Sequence, residues 1–230
     1  MARVSKRRRI LVVDIGGTHV KCAVGGGDAP REFESGPRLT PKRMTKQVLA
    51  LVRDWRFDAV SIGYPGVVVD GAIALEPFNL GRGWVGFDFR AAFGRPVRIV
   101  NDAAMQALGC YEGGRMLFLG LGTGMGSAMI VDGIIAPMEL AHLHCGPHKT
   151  YEDVLGESAR EHVGNHRWRK RVNDIVQSLQ RALLPDYVVL GGGNARHLKK
   201  LPPNVRRGDN SYAFAGGARL WDDKPARGTR

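Results

Sequence analysis

The sequence predicts an α/β protein built from two related halves. Short apolar runs rich in β-branched residues, which are typical of buried strands, alternate along the chain with stretches of helical periodicity. A strand, a glycine-rich turn and a second strand occur together twice, at residues 10–24 and again at residues 116–131. We expect these two hairpins to open the halves of a duplicated architecture and to face one another across a cleft.

Each half contributes strands and helices in alternation. The predicted strands are Ile10–Ile15, 20–24, Ala59–Tyr64, Val97–Asn101, 116–121, 128–131 and 187–190. The predicted helices are 45–53, 103–111, 151–163, 167–184 and a last one near 213–221. No low-complexity linker separates the halves. We predict an N-terminal domain at 1–106 and a C-terminal domain at 107–230, with the last helix, about 213–222, able to pack back on the N-terminal domain.

Residues 78–95 are rich in glycine, arginine and aromatic residues and lack helical periodicity. This composition is typical of a loop, and surface loops often carry function. We therefore predict that most of this segment is an exposed functional loop.

The composition is that of a globular protein, with 43% apolar and 24% charged residues among 230. No apolar run approaches the roughly 20 residues that a membrane helix needs, and the basic N-terminal segment lacks the apolar core of a secretory signal. The three cysteines are scattered and odd in number, which favours free thiols in a reducing compartment. We predict a cytoplasmic protein without a membrane partner.

The chain carries a net charge of +12, from 34 lysines and arginines against 22 acids. Such an excess attracts polyanions, so a phosphate-rich partner is expected. Part of the excess lies in two tails, at residues 6–9 and 219–230, where it could equally serve solubility. Another part lies inside a predicted helix, in Arg167, Arg169, Lys170 and Arg171. Aromatic residues are not interleaved with these basic runs as in a stacking motif, which disfavours a nucleic-acid partner.

The first glycine turn has the residue types that phosphate groups need. These residues are Asp14, Gly16, Gly17, Thr18 and Lys21. Glycine amides approach phosphoryl oxygens without interference from a Cβ atom, and Thr18 adds a donor. An aspartate at the strand end can hold Mg²⁺ through its water shell. The alternative is an ordinary glycine-rich hairpin, with Lys21 directed to solvent.

A second candidate group, Asn101 and Asp102, lies at the end of a predicted strand. An aspartate at this point can be a plain N-cap of the following helix. It also lies at the carboxyl end of a strand in an α/β sheet, where ligands usually bind, and Asn101 is suited to orient a hydroxyl group. A kinase needs such a carboxylate to accept the hydroxyl proton, and we favour this role of general base for Asp102.

Two further glycine turns could bind phosphate. One includes Thr123 and Gly124, and the other includes Gly192 and Gly193 just after a predicted strand. Neither turn is specific by itself.

A group of acids and histidines between these turns fits more than one function. Its members are Glu139, His142, His144, Cys145, His148 and Glu152. Carboxylates and imidazoles can bind sugar hydroxyls, histidine and cysteine at short spacing can bind zinc, and surface histidines in a loop are the third alternative. Since the group has only one cysteine, we expect no zinc site.

Taken in order, these motifs resemble those of the ROK family of sugar kinases. The resemblance covers about residues 10–220 and rests on segments 14–21, 101–102, 121–126, 139–142 and 191–194. It implies the two-domain actin-like (ribonuclease H-like) fold with a central cleft, and a homodimer. It also implies Asp102 as the catalytic base, phosphate binding by the glycine turns, and sugar contacts from Asn101, Glu139, His142 and Glu152.

Within this family the chain looks most similar to polyphosphate glucokinases. It departs from most members because Ala141 replaces a glycine and only Cys145 remains of a cysteine-rich zinc loop. The similarity rests on residues 64–68, Asn79 with Trp84, residues 152–153, Trp168 and residues 185–186. It implies transfer of a phosphoryl group from inorganic polyphosphate or ATP, with Mg²⁺, to a hexose such as glucose at its 6-hydroxyl, and a sugar contact from Asn79.

A long polyanion gains from successive cations along a groove. We therefore predict that Arg167, Arg169, Lys170 and Arg171 form a polyphosphate track. An ATP-dependent hexokinase or N-acylhexosamine kinase is the alternative among enzymes. A sugar-sensing regulator of the ROK family and a non-catalytic sugar-binding relic are further alternatives, disfavoured by the nine residues before Ile10 and by the presence of Asp102 respectively.

Overall fold

The computed structural model describes residues 8–25, 29–209 and 211–222. The chain divides into two compact units. The first unit comprises residues 1–102 and 217–221, and the second comprises residues 103–216 and 222–230. Most of the two predicted basic tails, residues 6–7 and 223–230, lies outside the described residues.

The first unit is built on a five-stranded sheet. The strands of this unit are β1 Ile10–Ile15, β2 His19–Val24, β3 Arg31–Glu34, β4 Ala59–Tyr64, β5 Val68–Val69, β6 Ala72–Ile73 and β7 Val97–Asn101. The sheet has the order β3-β2-β1-β4-β7, while β5 and β6 pair separately. Strand β2 is antiparallel to both β1 and β3, whereas β4 and β7 run parallel to β1. The carboxyl ends of β1, β4 and β7 therefore lie at one edge.

Helices α1 Pro41–Leu51 and α2 Phe89–Phe93 belong to the first unit, and α3 Asp102–Cys110 begins directly after β7. The start of α1 follows from its sequence, because the Thr40 side chain accepts a hydrogen bond from the backbone N–H of Arg43 and a proline follows it. The buried face of α1 includes Met44 and Val48, which join the apolar core of this unit.

Residues 78–95 are largely an exposed, irregular segment, as predicted, apart from the short helix α2 and a few buried side chains. Among these, Trp84 is fully buried, and its ring lies 5.6 Å from that of Tyr64 and 6.2 Å from that of Phe89. The Glu76 carboxylate accepts hydrogen bonds from consecutive backbone N–H groups at residues 83–85. Part of the aromatic content of the segment thus belongs to the core, and its functional role stays a prediction.

The second unit repeats the sheet of the first. Its strands are β8 Arg115–Leu121, β9 Met125–Val131, β10 Ile134–Met138, β11 His144–Gly146, β12 Lys149–Thr150, β13 Tyr187–Gly191 and β14 Val205–Arg207. The five-stranded sheet has the order β10-β9-β8-β13-β14, and β11 pairs only with β12. Three antiparallel strands are again followed by two parallel ones. The predicted duplication of the architecture is confirmed.

The helices of the second unit depart from their predicted bounds. They are α4 Tyr151–Leu155, α5 Glu157–Leu183 and α6 Tyr212–Arg219, with 3₁₀ turns at Leu140–His142 and Gly193–His197. Helix α5 is interrupted at Gly164, whose φ of 77° suits glycine, and this break falls in the predicted gap between helices 151–163 and 167–184. The predicted helix 151–163 is itself divided at Gly156 between α4 and the start of α5. Trp168 and Val172 lie on its buried face.

Close backbone packing fixes α6. A Cβ atom on Gly109 would collide with the carbonyl oxygen of Tyr212, so α3 and α6 approach closely within the second unit. The residues after 216 belong to the first unit, where the Ser61 hydroxyl donates a 2.6 Å hydrogen bond to the carbonyl oxygen of Gly217. Within the described residues, no helix has the length and apolarity to cross a membrane.

Candidate active site

The polar groups of the first unit lie at the carboxyl edge of its parallel strands. Asp14 on β1 is paired with Gly63 on β4, and Gly63 is paired with Val100 on β7. Since neighbouring strands are about 4.8 Å apart, the Cα atoms of Asp14 and Val100 are separated by roughly 10 Å. Asn101 ends β7 and Asp102 follows it. Two carboxylates and one amide therefore share the edge where α/β sheets usually bind ligands.

The first glycine turn is a tight, partly exposed connection between β1 and β2. The backbone N–H of Gly16 donates a 2.9 Å hydrogen bond to the carbonyl oxygen of His19, and the Ser35 hydroxyl donates to the carbonyl oxygen of Gly16 at 2.6 Å. Gly17 and Thr18 are exposed, so their backbone is open to a ligand. Asn79, predicted to contact sugar, lies beside this turn, with its amide nitrogen 3.9 Å from where a Cβ atom on Gly17 would be.

The carboxyl group of Asp14, beside this turn, has a pKa well above its ordinary value. Burial raises its pKa to about 6, and the opposing positive charge of Lys21, its cross-strand partner, limits the rise. Lys21 is half-buried and is paired with Asp14 in the β1–β2 ladder, so the two side chains lie on the same face of the sheet. Burial together with the Asp14 charge raises the pKa of the Cys22 thiol to about 12. A buried carboxylate of this kind is stabilised in its charged form by a bound cation.

Asp102 and Asn101 occupy the junction of β7 and α3. The Asn101 side-chain amide donates a 3.1 Å hydrogen bond to the carbonyl oxygen of Gly66, which orients this side chain. Asp102 is half-buried and is the first residue of α3. An acid there interacts favourably with the positive end of the helix, so this position suits both the capping role and the role of base.

In the second unit, the turn at residues 122–126 lies against Glu152. The backbone N–H of Gly122 donates to the carbonyl oxygen of Gly124 at 3.0 Å. A Cβ atom on Gly124 would collide with Oε1 of the exposed Glu152 side chain, so this carboxylate lies directly over the turn. Thr123 is exposed at the tip of the turn.

The two glycine turns of the second unit form one structure. The buried Asn194 side chain donates a 3.0 Å hydrogen bond to the carbonyl oxygen of Gly122. Gly192 has a φ of 79°, and a Cβ atom on it would collide with the backbone of Leu121. The side-chain oxygen of Asn194 in turn accepts a 3.2 Å hydrogen bond from Nε of Arg160. The sequence predicted two separate phosphate turns and gave no sign of Arg160.

Glu139, His142 and Glu152 are brought together. The nearest nitrogen of His142 lies 3.9 Å from a carboxylate oxygen of Glu139. Burial raises the pKa of Glu139, while the neighbouring His142 lowers it and the Glu152 charge raises it. This group has the mixture of acceptors and donors that sugar hydroxyls need.

Ser127 positions this group and was missed by the sequence analysis. It is buried on β9, where its hydroxyl donates to the carbonyl oxygen of Met138 at 2.7 Å and accepts from the backbone N–H of Leu140 at 3.1 Å. These bonds fix the backbone on both sides of Glu139. A serine inside an apolar strand is the one signal that could have indicated it.

His144, Cys145 and His148 are exposed around the β11–β12 hairpin. Among the residues that the structure describes, no group of three or more His, Cys, Asp or Glu side chains is arranged to hold a metal ion. The expected lack of a zinc site stays a prediction.

The basic residues of α5 do not share one face. Successive residues of a helix are about 100° apart, so exposed Arg167 and Lys170 lie on the side away from buried Trp168, while half-buried Arg171 lies on one flank of the helix. Arg169 lies apart from them on a flank of the helix and donates a 2.6 Å hydrogen bond to the carbonyl oxygen of His197. The structure thus divides the predicted polyphosphate track.

The fold and these motifs together define an actin-like protein of the sugar-kinase type. Residues 10–137 match the model of the ROK family, and the chain therefore belongs to that family. The predicted actin-like fold is confirmed by the likeness to an inorganic polyphosphate/ATP-glucomannokinase from Arthrobacter sp. strain KM. That structure has a TM-score of 0.79 and 23% identity, covering 93% of this chain and 98% of the other.

Two of the proteins with similar sequences illustrate the range of sugars and donors in the names of the relatives. A polyphosphate glucokinase of Mycobacterium tuberculosis is 27% identical over 213 residues, covering 83% of this chain and 80% of that protein. An N-acetylmannosamine kinase of Shigella flexneri is 31% identical over 140 residues, covering 54% of this chain and 48% of that protein. The predicted resemblance to the ROK family and to polyphosphate glucokinases is confirmed.

Proposed function

We propose that the chain transfers the terminal phosphoryl group of inorganic polyphosphate or ATP to a hexose, with glucose and its 6-hydroxyl as the first choice. The observation that carries this proposal is the shared edge of β1 and β7, where Asp14 lies two strands, or roughly 10 Å, from Val100, the residue directly before the Asn101–Asp102 pair. This spacing leaves room for a cation and a phosphoryl group between an acid that holds the metal and an acid that acts as base. The name of the Mycobacterium tuberculosis relative supports the choice of donor and sugar.

Asp102 is proposed to accept the proton of the sugar hydroxyl as its oxygen attacks the terminal phosphorus. The new oxygen–phosphorus bond forms while the bridging bond to the rest of the donor breaks, and the shortened polyphosphate or ADP leaves with that electron pair. Asn101, held by its bond to Gly66, orients the hydroxyl group towards the Asp102 carboxylate. Correct placement and charge stabilisation supply most of the rate in such a transfer.

The sugar contacts are assigned to Glu139, His142 and Glu152, with Asn79 and Asn101. The first three form one polar group in the second unit, held by Ser127 and by the packing of Glu152 on Gly124. The phosphate contacts are assigned to the exposed or half-buried backbone of the glycine turns, at Gly16, Gly17, Thr18, Thr123, Gly124, Gly192 and Gly193. Lys21 faces Asp14 and is assigned the charge balance of that acid.

Mg²⁺ fits the residues of the first turn. Magnesium in phosphoryl-transfer sites is bound by one or two carboxylates, by waters and by the substrate phosphates. Asp14 is a single buried acid, and a bound cation would offset the effect of the burial that raises its pKa. When bound, Mg²⁺ would screen the charge of the phosphoryl oxygens.

A homodimer and a cytoplasmic location stay predictions.

A second candidate is an ATP-dependent N-acylhexosamine kinase or hexokinase, favoured by the likeness to the N-acetylmannosamine kinase. A matrix of purified protein with glucose, mannose and N-acetylmannosamine against long-chain polyphosphate and ATP separates the candidates. We expect the highest kcat/KM for glucose with polyphosphate. Turnover of N-acetylmannosamine with ATP alone would favour the second candidate, and no sugar phosphate with any pair would remove the proposal.

A further inference from the structure

Three arginines surround the end of the 3₁₀ turn Gly193–His197. Nε of Arg169 donates to the carbonyl oxygen of His197 at 2.6 Å, and Nε of Arg196 lies 3.3 Å from Nε2 of the same histidine. Burial lowers the pKa of His197, and the positive charges of Arg160, Arg196 and Arg169 lower it further. We call Arg160, Arg169 and Arg196 the arginine cluster.

The positive charge of the arginine cluster is only partly matched by acids. Arg160 lies 3.7 Å from Glu157 and 3.6 Å from Glu161. Within the described part of the chain, no ion pair is formed by Arg169 or Arg196. Two adjacent guanidinium groups without carboxylates attract an anion, and the fixed planar donors of arginine suit phosphate.

The arginine cluster continues from the glycine turns through direct hydrogen bonds. Arg160 donates to Asn194, and Asn194 donates to the carbonyl oxygen of Gly122. A donor whose terminal phosphates rest on these turns would therefore carry any further phosphates towards Arg196 and Arg169. Arg167 and Lys170, on the outer face of α5, and Arg171 on its flank have no such link among the described hydrogen bonds.

We propose that Arg169 and Arg196 bind the part of a polyphosphate chain that lies beyond its reacting end. This inference rests on the proposed function and names the residues that would favour polyphosphate as donor. It replaces the predicted track along residues 167–171, because of that group only Arg169 lies beside the glycine turns. The Arg169 guanidinium thereby has two tasks, since its Nε holds the 3₁₀ turn while its terminal nitrogens face the polyanion.

The test compares Arg196→Gln with the control Arg181→Gln. The control also removes one exposed positive charge, but from the last turn of α5, about 18 Å along the helix from Arg169. Binding of long-chain polyphosphate is measured by calorimetry without sugar at several salt concentrations, and KM values are measured for polyphosphate and glucose. Arg196→Gln should weaken polyphosphate binding and raise its KM about tenfold, since a charge-assisted contact is lost. The slope of log K against log salt should fall by roughly 1.

Arg181→Gln and the glucose KM should change less than about twofold. Arg169→Lys and Arg169→Gln both lose the Nε hydrogen bond to His197, but only the lysine keeps the charge. Arg169→Lys should therefore bind polyphosphate more tightly than Arg169→Gln. Equal losses of polyphosphate affinity in Arg196→Gln and Arg181→Gln would overturn the inference. A larger loss in Arg167→Gln than in Arg196→Gln would also overturn it. So would binding of a single-stranded RNA oligonucleotide to the wild-type protein as strong as that of polyphosphate.

The wild-type protein separates this inference from the proposed function. Phosphoryl transfer from ATP without binding of polyphosphate would overturn the inference and leave the kinase proposal standing. Cluster-dependent binding of polyphosphate without transfer to any sugar would support the polyanion site and overturn the proposed function.

Discussion

The side-chain amide of Asn194 donates a 3.0 Å hydrogen bond to the carbonyl oxygen of Gly122, 72 residues earlier in the chain. This one bond joins the turn after β8 to the turn after β13, at the carboxyl ends of two parallel strands. Because Asn194 also accepts a hydrogen bond from Arg160, its amide fixes the glycine turns and the start of α5 together.

Asn194→Ala should destabilise the protein by roughly 1–3 kcal/mol, because two side-chain hydrogen bonds of a buried residue are lost and the Gly122 carbonyl oxygen keeps only the backbone N–H of Glu157. Urea unfolding of both proteins measures the change in the free energy of unfolding. Asn165→Ala is the matched control, since Asn165 also contacts Arg160, at 3.3 Å, but is exposed. The control should stay within about 0.5 kcal/mol of wild type. Equal losses in the two variants would show that the Gly122 bond has no special role.

Gly192→Ala should impair the second unit, whereas Gly122→Ala should be tolerated. Gly192 has a φ of 79°, and a Cβ atom on it would collide with the backbone of Leu121, while nothing lies within 4 Å of a Cβ atom on Gly122. Thermal unfolding compares the two proteins, and Gly192→Ala should have the lower Tm. A Gly192→Ala protein as stable as Gly122→Ala would contradict the packing described above.

Asp14→Asn should raise stability at neutral pH. Burial raises the pKa of folded Asp14 to about 6, against 3.8 for the unfolded group, so the folded state holds its proton more tightly. The resulting stabilisation is complete below pH 3.8, declines as the pH rises through 6, and is lost above it. Relative to wild type, the variant should therefore gain up to roughly 3 kcal/mol between pH 4 and pH 8.

The pH dependence of urea unfolding checks this prediction, with Asp174→Asn, an exposed acid on α5, as the control. The gain should be absent in the control. Phosphoryl transfer should be strongly reduced in Asp14→Asn because the proposed magnesium contact is lost. A variant that gains stability equally at pH 4 and pH 8 would contradict the electrostatic assignment.

Ser127→Ala should raise the KM for sugar without a matching change in the KM for the donor. The Ser127 hydroxyl holds the backbone at Met138 and Leu140, on both sides of Glu139. Loss of two hydrogen bonds should also cost about 1–3 kcal/mol in the free energy of unfolding. Steady-state kinetics with each substrate varied in turn measures the split. Ser178→Ala, an exposed hydroxyl on α5, is the control and should alter neither KM.

Much of the fold could be predicted because several of its strands are short runs rich in apolar β-branched residues. Ile10–Ile15, Ala59–Tyr64 and Val97–Asn101 form the strands with the predicted bounds, since apolar β-branched residues have few other stable places in an α/β protein. The burial of Trp84 could not be predicted, because it depends on Tyr64 and on hydrogen bonds to Glu76 that local composition does not reveal.

The candidate site was predictable residue by residue but not as an assembly. Asp14 and Asp102 could be identified because strand ends and glycine turns have local patterns. The Asn194–Gly122 bond and the arginine cluster could not, because they join positions far apart in sequence. Adjacent charges on a helix point in different directions, which explains why Arg169 is separated from Arg167 and Lys170.

The central claim is that Asp102 is the base of a phosphoryl transfer, and Asp102→Asn tests it most directly. The amide keeps the size of the side chain but cannot accept the proton, so kcat for glucose phosphorylation with the best donor should fall by roughly 10²–10⁴-fold. Calorimetric binding of glucose should stay close to that of wild type. A variant that retains more than about a tenth of wild-type kcat with unchanged glucose binding would contradict the role of Asp102 and leave it as a helix cap.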